Sequence, residues 1–207
     1  MIFIRRFEKL ILAVILGQIA PVIGLLAFWW ASIPLLAEGL VPYAALAGLA
    51  LGLLADVFIL RRFARKAYQL DIKSWVAIHL FYSAWVFGTF MGVPVPNLVL
   101  ALPAGFVVGG RLAREEADES RVRAAARRTA WFTTGVLALI CAASALIALV
   151  SPSTAYDLQG MLGLRFEVTQ PMVVGLILAG GAALLAFNWA LTVASVRFSH
   201  TFLQRKG

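Results

Sequence analysis

Residues 87–110 read FGTFMGVPVPNLVLALPAGFVVGG, a stretch apolar enough for lipid that nevertheless carries three prolines and five glycines. Proline lacks an N–H and biases the residue before it away from the helical region, so Pro94 and Pro96 place a turn here. Asn97 follows them as the expected cap of the next helix. Pro103 would leave the Val99 carbonyl without its helical partner, which predicts a kink. The 37 residues 74–110 reach on the order of 55 Å as helix, whereas two crossings of a bilayer core need on the order of 60 Å. The turn is therefore predicted to be submerged between two spans. Non-helical backbone at that depth is tolerated only where protein or water covers it. The segment thus either lines a recess open to the outside or is packed tightly through Gly88, Gly92, Gly105 and Gly109.

The rest of the chain fits this setting. Of its 207 residues 62 % are apolar and 14 % charged, against roughly 45–50 % and about 25 % in soluble domains. Apolar runs at about 10–30, 40–60, 75–92, 95–110, 131–150 and 172–196 each approach the ~20 residues that cross a bilayer. The fold class is accordingly all-α, a polytopic membrane protein of six transmembrane helices forming one bundle over residues 1–207, with no room for a separate soluble domain. Arg5 and Arg6 before the first run give it a signal-peptide look, but the run is long and no small-residue cleavage site precedes Phe28, so it reads as a retained span.

A net charge of +8 suggests nucleic acid in a soluble protein, and the positions of the cations exclude that reading. Arg5, Arg6 and Lys9 precede span 1. Arg61, Arg62, Arg65, Lys66 and Lys73 lie between spans 2 and 3, six arginines separate spans 4 and 5, and Arg197, Arg205 and Lys206 follow span 6. Threading six spans from a cytoplasmic N-terminus leaves only Arg165 outside, so 17 of 18 Lys and Arg face the cytoplasm. This is the positive-inside pattern. It predicts both termini cytoplasmic, an N-in/C-in protein of the plasma membrane, with its partners being the lipid bilayer and the anionic headgroups met by the cytoplasmic Arg and Lys.

The loop of residues 111–128, opening on Arg111 and closing on Arg128, holds ten charged residues in eighteen. The opposite charges four apart, Arg111 with Glu115, Arg114 with Asp118 and Glu119 with Arg123, predict spans 4 and 5 to continue as exposed helices joined by a tight turn. Such a hairpin is also a candidate docking site for a partner subunit. Residues 151–170, the long outer loop, are expected to fold back onto the membrane surface.

Ionisable groups inside a span are functional candidates. Asp56 stands four residues before the inner end of span 2 and His79 four residues after the inner start of span 3, both roughly 6 Å deep by helical rise. They are a candidate carboxylate–imidazole pair for gating or proton relay, the alternative being Asp56 snorkelling to Arg61 or Arg62. Gln18, Tyr82, Ser83, Thr133, Thr134, Asn188, Thr192 and Ser195 share the inner half, either lining a polar cavity or joining helices; Gln18 also stands where it could cap the Gly17 carbonyl freed by Pro21. The substrate-binding or gating set is therefore Asp56, His79, Tyr82, Asn97, Gln18 and Asn188. Small-residue stripes at Ala44, Gly48 and Gly52, and at Gly175, Ala179, Ala182, Ala186 and Ala190, predict close helix packing.

No GxSG, DxxxD, HExxH, P-loop or GxGxxG pattern occurs, no cofactor or metal is implied, and the single Cys141 has no partner for an internal disulfide. In size and span count the chain is similar to the substrate-capture subunits of energy-coupling-factor importers, with no motif shared. The expected function is a small permease or substrate-binding membrane subunit. The alternatives are an assembly or regulatory membrane protein and an enzyme acting at the inner headgroup layer.

Overall fold

The computed structural model describes residues 2–66, 68, 70–163 and 165–204, with side chains for 10–58, 68, 70–160, 163 and 165–204. The expected contact of Asp56 with Arg61 or Arg62, and the cations Arg5, Arg6, Lys9, Arg65, Lys66, Arg205 and Lys206, involve side chains outside that set. The chain is all-helical, with no strand among the described residues. Five stretches of these residues are long and apolar enough to cross a membrane: Leu10–Ser32, Glu38–Phe58, Val95–Arg114, Glu119–Val150 and Gln170–Gln204. The segment expected as span 3 is helix α4 (Ile72–Thr89), 18 residues long, in which Lys73, His79, Tyr82 and Ser83 dilute the apolar character. The chain divides into two compact units, Met1–Leu70 and Asp71–Gly207.

In the first unit, α1 (Ile2–Gly17) and α2 (Ile19–Ser32) share the predicted first span and are separated at Gln18. The break has a covalent cause. Pro21 has no N–H to give the Gly17 carbonyl, so the α1 ladder ends there. The Gln18 side chain does not compensate: it is exposed and makes no capping bond, which removes the expected cap. Helix α3 (Val41–Lys66) begins after a 3-10 turn at Glu38–Leu40 and packs on α2. The contact depends on glycine. A side-chain carbon on Gly24 would strike the Gly48 carbonyl oxygen, and one on Gly52 would strike the Ala20 carbonyl oxygen and Pro21. The α3 stripe is thus filled from within the unit.

In the second unit, α4 ends in a tight reversal in which the Gly92 N–H reaches the Phe87 carbonyl (2.9 Å) and the Met91 N–H the Gly88 carbonyl (3.2 Å). Met91 and Gly92 adopt φ of +52° and +84°, as a left-handed helix end requires. A 3-10 segment, Val95–Leu100, then leads into α5 (Ala101–Arg114). Pro103 lies in the first turn of α5, where proline is well tolerated, and the Ala101 N–H ahead of it reaches the Leu98 and Val99 carbonyls.

Helix α6 (Glu119–Val150) and helix α8 (Gln170–Gln204) have 32 and 35 residues, about 48 and 52 Å by helical rise. Both exceed the ~30 Å hydrocarbon core. The α5–α6 turn matches the expected tight hairpin. Ala117 N–H bonds to the Leu112 carbonyl (3.0 Å) across Glu116 at φ +48°, and Ala117 packs with Leu112, Val122, Ala126 and Val196. This is the C-terminal motif in which backbone and apolar contact occur together. Helix α7 (Thr154–Leu162) occupies the long loop and ends on Gly163 at φ +60°.

Candidate functional site

Helices α5, α6 and α8 hold most of the buried polarity. Gly105 and Gly109, four apart on α5, let the helix approach α8 so closely that a side-chain carbon on either would meet Ser195, Ser199 or the α8 backbone. At that distance the Ser195 hydroxyl donates to the Leu102 carbonyl (2.8 Å) and the Ser199 hydroxyl to the Ser195 carbonyl. About two turns earlier on α8, Asn188 donates through Nδ2 to Thr133 Oγ1 (3.3 Å) and Thr134 Oγ1 (3.1 Å) of α6. Thr133 and Thr192 hydroxyls lie 2.9 Å apart, and Thr192 donates to the Asn188 carbonyl (2.8 Å). Asn188, Thr133 and Thr192 are at most 2 % exposed. The cluster therefore closes on itself, the arrangement by which polar side chains join helices in lipid.

The hairpin residues do something different from what their positions suggest. Asn97 is buried inside the 3-10 segment, and it does not cap α5. Its Nδ2 donates to the Ser83 carbonyl of α4 (3.2 Å), tying the two arms of the hairpin together. The cause is Pro94, which starts the helical segment three residues early and leaves Asn97 within it. Asn97 Oδ1 is buried without a partner. Tyr82 and Ser83 are buried on the same helix, with the Tyr82 ring edge-on to Phe81.

Asp56 is buried on α3 in the first unit, and His79 stands on α4 in the second. The described ring partner of His79 is Phe132 of α6, with centroids 5.3 Å apart. Sequence spacing offers no sign of that pairing, since the two residues are 53 positions apart.

At the α5–α6 turn, Glu115 takes both Arg111 (3.1 Å) and Arg121 (3.0 Å). The expected Glu119–Arg123 pair does not form. Asp118 serves as the N-cap of α6, accepting from the Arg121 N–H (3.2 Å) and the Ser120 hydroxyl (2.7 Å). Those two bonds, the Ser120 one foremost, hold its carboxyl below the usual range near 3.8. His200 is buried within α8.

Comparison with protein-family models, with curated proteins and with solved structures found no match.

Proposed function

We propose that this chain is an assembly or regulatory protein of the cytoplasmic membrane, with both ends and the α5–α6 turn on the cytoplasmic side, whose α8 receives a helix from a partner. The orientation rests on the distribution of Lys and Arg. Helix α4, about 27 Å long by rise, completes the sixth crossing with the hairpin turn below the outer surface. The observation that carries the function is the fate of the α8 stripe. Gly175, Ala179, Ala182, Ala186 and Ala190 are all exposed, and nothing lies within 4 Å of a side-chain carbon built on Gly175. Small residues admit a close helix, and here the space is open. Tagged protein purified in mild detergent tests the reading: a membrane partner or second copy should copurify with the native chain and be lost from Ala182→Leu while the melting temperature is unchanged. Equal recovery with both would contradict it.

A second reading, the permease or substrate-binding subunit, draws support from the unpartnered Asn97 Oδ1 in the proline-rich hairpin, an acceptor free for a ligand's N–H or O–H. A screen of small metabolites for thermal stabilisation that Asn97→Ala abolishes would favour it.

A further inference from the structure

A cavity of about 400 Å³ lies between the start of α6 and the end of α8, lined by the apolar Ala117 and Val122 and by Glu119, Arg123, Arg197, His200, Thr201 and Gln204. Its size is within the roughly 300–1,000 Å³ of small-ligand sites. Two arginines face it from different helices, and neither has an ion-pair partner among the described residues. Guanidinium groups from two helices beside hydroxyl and amide donors make the donor set that planar or tetrahedral oxyanions accept. His200, nine-tenths buried, forms part of the wall with its Nε2 enclosed and without a partner.

The depth of the cavity narrows the ligand. Trp131 of α6 and Trp189 of α8 meet edge-on at 4.7 Å, and tryptophan concentrates at the edge of the hydrocarbon. Arg123 precedes Trp131 by eight residues and Arg197 follows Trp189 by eight, about 12 Å of helix in each case. That distance carries both guanidinium groups to the headgroup layer of the cytoplasmic face and the adjacent water. We propose that the cavity binds a phosphate group, carried by an inner-leaflet phospholipid or by a soluble phosphorylated compound, with Arg123 and Arg197 as its principal ligands. Glu119 on the wall opposes the anion and sets the affinity from the other direction. The site shares no residue with the α8 partner face, which ends at Ala190, seven residues before Arg197.

The full chain in nanodiscs of pure phosphatidylcholine, melted with inorganic phosphate against chloride of equal ionic strength, gives the first arm; nanodiscs with phosphatidylglycerol added give the second. Stabilisation by phosphate identifies a soluble ligand, and stabilisation by phosphatidylglycerol alone identifies a lipid. In whichever arm responds, Arg123→Gln or Arg197→Gln should weaken the apparent affinity about tenfold, and Glu119→Gln should tighten it about threefold. Arg128→Gln, exposed on α6 and outside the cavity, should leave it unchanged. If an arginine variant fails to fold, the Glu119→Gln tightening still decides. No stabilisation in either arm, no tightening with Glu119→Gln, or an equal loss with Arg128→Gln would overturn the proposal.

Discussion

The small residues of α3 and those near the start of α8 follow the same helical spacing and meet opposite fates. Gly48 and Gly52 are buried against Gly24, Ala20 and Pro21 of α2. Gly175 and the four alanines after it are exposed. The opposite face of α8 is occupied: Asn188, Thr192 and Val196 are sealed against α5 and α6. A small-residue stripe is therefore a capacity for close approach, and whether a neighbour in the same chain uses it depends on three-dimensional placement. On α3 the capacity stabilises a unit; on α8 it is left for another helix.

The sharpest way to break this contrast is to fill both stripes. Gly48→Leu forces a side chain into the Gly24 carbonyl and the Phe28 Cβ (2.7 Å from an ideal Cβ), and should destabilise the protein by about 3 kcal/mol, the upper end of overpacking costs. Gly175→Leu should leave the melting temperature of the isolated chain unchanged or slightly raised, because leucine is the better helix former. Equal losses in thermal unfolding would show the α8 face to be packed as well.

The occupied face of α8 supplies the next effect. Asn188→Leu removes both bonds to Thr133 and Thr134 and should cost about 1–2 kcal/mol, near the top of the range for polar contacts between helices in lipid. Combined with Thr133→Val, the loss should fall short of the sum, since the two side chains share a bond. Additive losses would mean that the cluster contributes packing alone.

How far the sequence carried this picture varies by region. The reversal after α4 and the turn after α5 were legible because Pro94, Pro96 and the dense charge of residues 111–128 act locally. The inner polar set was legible as residue types at common depth, and Asn188 with Thr133, Thr134 and Thr192 does come together. The partners were not legible: Glu115 reaches Arg121 across a turn, His79 finds Phe132 on another helix, and Asn97 bonds back to Ser83. Each contact depends on a chain reversal whose geometry no periodicity encodes. The two small-residue stripes were indistinguishable for the same reason.

Smaller effects come from the turn that positions α5 and α6 beneath α8. Glu116 holds φ +48°, a conformation that costs a residue with a Cβ on the order of 1 kcal/mol, so Glu116→Gly should stabilise by about that amount in thermal unfolding. The smallest is a pH effect at Asp118. Its folded carboxyl is held below the usual value near 3.8, so its contribution is present above that value and is lost as pH falls through the lower folded one. Asp118→Asn keeps a capping oxygen and should flatten the fall in melting temperature on acidification. An unchanged acid profile would remove Asp118 as its source.

The open α8 face is tested most directly in native membranes, with a photo-crosslinking residue placed at Ala182 and, separately, at Phe187, about 100° further round the exposed side of the helix from the centre of the stripe. A discrete protein adduct is expected from position 182 and lipid adducts alone from position 187. Lipid adducts alone from both positions would contradict it, since the stripe would then be no more than a smooth surface facing the bilayer.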